Sequence, residues 1–228
     1  MKKNIKIITL ISVSLLIFSG YYILSKIAKQ NWDRNLTGYY KIQSGKVVYK
    51  YYNFTSEENE TRILDAIDPI TFRTSKEDPQ IAYDANSVYC GGKKINYAEP
   101  KTFKSIKNGP YYIDQKHAYY IPKQFSTCHI RELTIAKPAT FVSLGDNYAK
   151  DADRVYFKEK EISNANAETF VVIHDQCGYG KDLNNIYYET IKIENVDIKT
   201  FVRYANQEST ECTFVDKNRV YQFGKEII

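Results

Sequence analysis

Residues 35–228 carry no net charge. Six of the 32 basic residues (Lys2, Lys3, Lys6, Lys26, Lys29 and Arg34) and one of the 27 acidic ones (Asp33) fall in the first 34 positions, which leaves 26 of each sign. The +5 of the whole chain therefore belongs to its N-terminus. The remainder has no basic stripe of the kind that phosphate binding requires, so nucleic acid is not expected as a partner. Catalytic signatures are missing too: there is no G-x-S-x-G elbow and no ordered Ser/His/Asp set. Cys128-His129 and His174-x-x-Cys177 supply two cysteines and two histidines, but they lack the tight paired spacing of a zinc site. The expectation is a protein that is not an enzyme, with no catalytic residue, no metal and no cofactor.

Charge is also absent from residues 7–25, between Lys6 and Lys26. Nineteen residues in a helix would span roughly 28 Å, close to the hydrocarbon thickness of a bilayer. No A-x-A cleavage site follows, and Ser19-Gly20 precedes Tyr21 rather than a cysteine. An uncleaved transmembrane signal anchor is expected over 7–25, behind a basic segment 1–6. The rest of the chain is placed outside the cell membrane, by the usual behaviour of a first helix with a basic start. A linker and N-terminal cap would occupy 26–43 and a repeat domain 44–228.

What the chain does contain is a repeat. DKNRVY near the C-terminus sets Asp216 five residues before Tyr221, and the interval recurs as DANSVY (Asp84, Tyr89), DQKHAY (Asp114, Tyr119), DADRVY (Asp151, Tyr156) and DLNNIY (Asp182, Tyr187). Thr-Phe pairs alternate with these at Phe72, Phe103, Phe141, Phe170 and Phe201. Tyr and the next Phe are 14 residues apart in three units and 22 in the unit of Asp114, an insertion of eight within Ile121–Ala136. A degenerate sixth copy, SGKVVY, starts at Ser44.

From Ser44 to Ile228 this pattern resembles the DKNYY family of bacterial repeat proteins. The last copy keeps Asp216-Lys217-Asn218, and the doubled aromatic survives as Tyr119-Tyr120, Tyr156-Phe157 and Tyr187-Tyr188; Cys90 and Gln222 depart from it. The resemblance brings no catalytic residues with it.

Each Asp–x–(Asn/Asp) step reads as a turn, and VYF, IYY or VYQF as a strand with large groups on both faces. A second turn makes a hairpin, then a proline opens a short helical turn that ends in Phe. One unit of about 30 residues cannot bury its own aromatics, so the expected fold is mainly β: tandem hairpins stacked as a solenoid or a propeller-like array. In that register the five Asp are turn residues, and the five Tyr and five Phe are core. Asp151 and Asp153 offer too few ligands for a calcium loop, and GYGKD aligns with NYAKD as an ordinary strand rather than a phosphate loop.

Four cysteines in an exported domain fit two disulfides among three connectivities. Cys177 and Cys212 lie five and four residues before their Asp in adjacent units and are the expected pair. Cys90 and Cys128 are left for a second bridge, with buried thiols the alternative for all four. The functional expectation is an envelope protein, membrane-held through its N-terminal helix, that has a structural role or binds an unknown protein. The alternative is a glycan- or cell-wall-binding module using exposed tyrosines.

Overall fold

The computed structural model describes residues 34–36, 38–122, 128–174, 176–204 and 212–227. The expected anchor at 7–25 lies outside these residues. Among the described residues no helix is long and apolar enough to cross a membrane.

The described residues are almost entirely β, in six four-stranded antiparallel sheets. Two compact units, Met1–Asn96 and Tyr97–Ile228, divide the chain. The first contains sheet A, from β1 (Arg34–Asn35), β2 (Tyr40–Gln43), β3 (Lys46–Asn53) and β4 (Glu58–Leu64). Residues 34–43, assigned above to the linker and cap, thus supply two of its strands. Sheet B follows, from β5 (Arg73–Thr74), β6 (Ile81–Tyr83), β7 (Val88–Cys90) and β8 (Lys93–Ile95).

The second unit contains four sheets. Sheet C has β9 (Lys104–Ser105), β10 (Tyr111–Ile113), β11 (Ala118–Tyr120) and β12 (Arg131–Glu132); sheet D has β13 (Val142–Gly145), β14 (Tyr148–Lys150), β15 (Val155–Phe157) and β16 (Lys160–Glu161). Sheet E has β17 (Val171–His174), β18 (Tyr179–Lys181), β19 (Ile186–Tyr188) and β20 (Ile191–Ile193). Sheet F has β21 (Val202–Arg203), β22 (Thr213–Val215), β23 (Val220–Gln222) and β24 (Lys225–Glu226).

Each repeat is therefore a four-stranded meander, not the single hairpin that the pattern suggested. The residues after each Thr-Phe stay extended and pair with the strand entering the Asp turn, as in Val171 with Lys181 and Val172 with Gly180. These first strands are two to four residues long, too short to show a period. The expected helical turn shrinks to a simple turn in most repeats, with a 3₁₀ segment at Pro138–Thr140.

Both faces of the central strands are covered. In β15 Tyr156 packs on one side with Tyr111, Phe141 and Ala149, while Val155 and Phe157 pack on the other with Phe170 and Tyr187. Each Thr-Phe phenylalanine is flanked by two tyrosine rings; Phe72, Phe141, Phe170 and Phe201 lie between neighbouring sheets of one unit, while Phe103 packs on Tyr112 and Tyr119 of its own sheet C. Phe72 sits 5.4 Å from Tyr40 and 6.0 Å from Tyr89. The same triad recurs as Tyr111–Phe141–Tyr156, Tyr148–Phe170–Tyr187 and Tyr179–Phe201–Tyr221, with centroids 5.3–5.9 Å apart. Such tilted pairs add to the area these rings bury. In sheets B, D and E room for the phenylalanine comes from a small residue opposite the tyrosine, Ala82, Ala149 or Gly180; in sheets C and F that position holds Tyr112 or Phe214, on which Phe103 or Phe201 stacks. A Cβ on Gly180 would run into the Phe170 ring.

Candidate functional site

The five repeated aspartates occupy one structural role. All are buried, and each carboxylate closes its own turn. Asp182 is representative: Oδ1 accepts the N–H groups of Asn184 and Asn185, both at 2.8 Å, while Oδ2 accepts the Asn166 N–H at 3.0 Å and the Tyr187 hydroxyl at 2.9 Å. Its own N–H donates to the Asn185 carbonyl at 3.1 Å. The one amide left in the turn, that of Leu183, donates to Thr169 Oγ1 at 3.2 Å. That hydroxyl belongs to the Thr of the Thr-Phe pair, so both sequence markers meet in one clasp.

The clasp repeats with little variation. Tyrosine hydroxyls donate to the carboxylates of Asp84, Asp114, Asp151 and Asp216 at 2.7–2.9 Å. The backbone N–H of Asp68, Glu99, Lys137 and Asp197 reaches the same oxygens from the preceding turn. Thr71, Thr102, Thr140 and Thr200 accept from the residue after each Asp. Burial would push the carboxyls of Asp114, Asp151, Asp182 and Asp216 up. The backbone donors and the tyrosine hydroxyl outweigh it, and all four are held below the usual carboxylate value. Burial, then the bond to the carboxylate, pushes Tyr89 and Tyr221 up to about 12, and Tyr119, Tyr156 and Tyr187 higher still. These four aspartates are anions and the five tyrosines neutral donors across the physiological range.

A second tyrosine series was not recognised in the sequence. Tyr40, Tyr111, Tyr148 and Tyr179 are buried and tie one sheet to the next through their hydroxyls. Tyr40 donates to the Gln80 carbonyl at 2.7 Å and accepts the Gly92 N–H at 3.0 Å. Tyr111 donates to the Asn147 carbonyl, Tyr148 to that of Gly178 at 2.8 Å, and Tyr179 accepts from Gly224 at 2.8 Å. Gly224 has φ +74°, and a Cβ there would meet the Tyr188 side chain; only glycine fits this turn. The available signal was an aromatic three residues before Asp114, Asp151 and Asp182.

Cys177 and Cys212 form a disulfide with Cα atoms 5.4 Å apart, tying the β17–β18 turn to sheet F. Cys90 and Cys128 are disulfide-bonded as well, and no cysteine is free. Cys128 and Cys177 are thereby removed from the zinc set considered above. Among the described residues no three His, Cys, Asp or Glu side chains gather as a metal site would need. Asp153 pairs with Lys137 rather than joining Asp151 at an ion.

One cleft stands apart from the clasps. It measures about 490 Å³ and is lined by Asn108, Pro110, Tyr120, Pro122, Asp146 and Asn147, beside the point where the insertion leaves sheet C. Asn108, Asp146 and Asn147 adopt positive φ, and Asp146 accepts the Gly178 N–H, so the polar rim is held by the turns of the repeat. An aromatic ring, two prolines and a rim of amides suit the holding of a small polar molecule.

The sequence pattern of the DKNYY family matches residues 82–225, well over half of the chain and the stretch in which the clasps recur. The chain belongs to the DKNYY family. Comparison with curated proteins and with solved structures finds no match. In structural terms, the Asp and first aromatic of the DKNYY repeat are the carboxylate and hydroxyl of the clasp. The second aromatic, Tyr120, Phe157 or Tyr188, packs on the opposite face of its strand against Tyr111, Tyr148 or Tyr179.

Proposed function

We propose that this DKNYY protein is a non-catalytic scaffold of the cell envelope, held at the membrane by residues 7–25 and presenting its stacked repeats outside as a binding or structural surface. The observation that carries the reading is the fate of the repeated acidic groups. Each is enclosed and saturated by backbone amides and a tyrosine hydroxyl, so it serves the fold and leaves recognition to the surface between repeats. The oxidised state of all four cysteines supports an extracytoplasmic setting, where disulfides persist. The uncharged stretch over 7–25 supports an anchor. Crosslinking in intact cells, followed by mass spectrometry, tests the proposal. Recovery of one recurring envelope protein supports it; recovery of cytosolic proteins alone refutes it.

The cleft at Tyr120 favours a second reading, a glycan ligand. The tyrosines of the clasps are buried and give no stacking platform, which leaves the cleft and exposed rings such as Tyr97 for that role. Saturable sedimentation of the protein with purified wall material, lost on Asn108→Ala and Asn147→Ala, would support it. Sedimentation that these changes leave intact would remove the cleft from consideration.

A further inference from the structure

Sheet A breaks the rule of three-residue strands. Its β3 is eight residues long and β4 seven, and β4 is an edge, paired with β3 alone. The Lys50 N–H donates to the Tyr39 carbonyl, so the even-numbered residues of β3 bond towards β2 and the odd-numbered ones towards β4. By the antiparallel register, Glu58, Glu60, Arg62 and Leu64 then bond inward. Asn59, Thr61 and Ile63 aim their N–H and C=O groups outward, and no described backbone group meets them. A strand edge of this length is a template for another strand. Beside it lie three exposed apolar side chains, Ile63 at 52%, Tyr52 at 40% and Phe54 at 64%.

We propose that this edge pairs with β4 of a second copy of the chain, antiparallel about a two-fold axis through Thr61. The charge sequence selects both partner and register. With Thr61 opposite Thr61, Glu60 of each copy faces Arg62 of the other, and Asn59 faces Ile63. Shifting the axis to residue 60 sets Glu60 against Glu60 between two Arg62–Glu58 pairs, and shifting it to 62 sets Arg62 against Arg62 with Glu60 facing Leu64. Opposite charges stabilise a cross-strand pair and like charges destabilise it, so only the register about Thr61 has opposite-charge pairs and no like-charge pair. The same register satisfies the hydrogen bonds: Thr61–Thr61 and the two Asn59–Ile63 pairs are hydrogen-bonded pairs, giving about six inter-chain bonds. Glu60 and Arg62 then face each other in the non-bonded pairs, where side chains approach most closely.

Both charges are present at the edge. Hydrogen bonds from Tyr51, Asn53 and Ser56 hold Glu60 below the ordinary carboxyl range, so it is anionic, and of the roughly four lone-pair sites of its carboxylate they leave one on Oε2 for Arg62 of the second copy. Arg62 is exposed, and its guanidinium donates to the Gly91 carbonyl at 3.4 Å. Pairing also sets Ile63 beside Asn59 of the second copy, with Tyr52 on the next strand. The two four-stranded sheets become one of eight strands under an isologous two-fold. The proposal rests on sheet A alone and is separate from the functional reading above.

The test uses the full chain in non-ionic detergent, with mass read by light scattering across a concentration series. The wild-type chain is expected to dimerise. Glu60→Arg and Arg62→Glu, each alone, place two like-charged pairs at the interface and are expected to weaken it about tenfold or more. An equimolar mixture of the two variants restores Glu–Arg pairing in the heterodimer, which a folding defect could not do. A wild-type chain that stays monomeric overturns the proposal, as does association indifferent to these changes, which would point to the apolar N-terminal run. Disulfide trapping fixes the register, because all native cysteines are already bonded. Thr61→Cys should crosslink to itself, with Cα atoms about 5.5 Å apart in a hydrogen-bonded pair. Asn59→Cys should crosslink with Ile63→Cys and not with itself. Self-crosslinking of Asn59→Cys as fast as that of Thr61→Cys refutes the register.

Discussion

Removing one clasp carboxylate should cost far more than an exposed acidic residue could. Asp182→Ala takes the acceptor from three backbone amides, those of Asn166, Asn184 and Asn185, and from the Tyr187 hydroxyl. Hydrogen bonds to an ion are worth about 1.5–3 kcal/mol each, but such contributions do not add where water can enter. Breaking a buried charged network costs about 3–5 kcal/mol, and that is the expected loss. It corresponds to roughly 10–20 °C in the midpoint of the second unit. Asp182→Asn keeps an oxygen for Asn184 and Asn185 but turns an amide N–H towards the Asn166 N–H, so about 2 kcal/mol is expected. Guanidinium unfolding under oxidising conditions measures both variants, and hydrogen exchange reports the local amides. The reasoning fails if Asp182→Ala unfolds within about 1 kcal/mol of wild type and the amides of Asn166, Asn184 and Asn185 exchange as slowly as before.

Further expectations follow from the same geometry. Tyr148→Phe removes the hydroxyl that bonds the Gly178 carbonyl and should destabilise by about 1–2 kcal/mol, whereas Phe170→Ala empties the centre of its triad and should cost about 3–5 kcal/mol; urea unfolding compares them. Gly180→Ala should destabilise despite better strand propensity, because its Cβ meets Phe170; an unchanged midpoint would show that the ring moves aside freely. Replacing Cys177 and Cys212 together by Ala opens a loop of sequence separation 35 and should cost about 3–4 kcal/mol on the chain-entropy account, read from thermal melts of the variant and the oxidised wild type. Stability should also depend on pH at both extremes. The four aspartates with lowered values contribute fully above their unfolded value near 3.8, and the contribution disappears as pH falls through the folded values. The raised tyrosines contribute fully below pH 10, and the contribution disappears as pH rises towards about 12 for Tyr89 and Tyr221. Circular dichroism melts from pH 2 to 12 check both arms; a flat profile below pH 4 would contradict the acid one.

Much of this was legible because the clasp constrains side chains. Asp216 and Tyr221 recur at fixed spacing since one donates to the other, and Thr200 recurs since it caps the amide of Lys217. The middle of the turn varies freely, as Ala85, Gln115, Ala152, Leu183 and Lys217 show, because what each contributes to the clasp is its backbone N–H; Lys217 adds an ion pair to Asp197 outside it. The first strand of each meander was illegible for a related reason. Arg73-Thr74, Lys104-Ser105 and Val202-Arg203 are held by backbone pairing, which leaves little mark on composition. The linking tyrosines were half visible: Tyr148 and Tyr179 could be placed on strands, but hydroxyls reaching a carbonyl 30 residues on, or an amide 45 on, leave no local pattern. The cleft at Tyr120 depends on Asn108 and Asp146 meeting across two repeats, and no spacing announces that.

The separations within each clasp also bear on how the chain comes to its folded state. The partners of Asp182 stand two, three, five and sixteen residues away, and those of Asp216 two, three, five and nineteen. Nothing a repeat needs to close its own turn lies further along than its own tyrosine. A chain emerging from its N-terminus as it is synthesised can therefore complete one repeat before the next has emerged, with low contact order at every step. What a finished repeat lacks is cover for the ring it presents forward, and the next Thr-Phe to emerge supplies it. Within each unit, growth of the structure would keep pace with synthesis, one finished repeat serving as the surface on which its successor condenses.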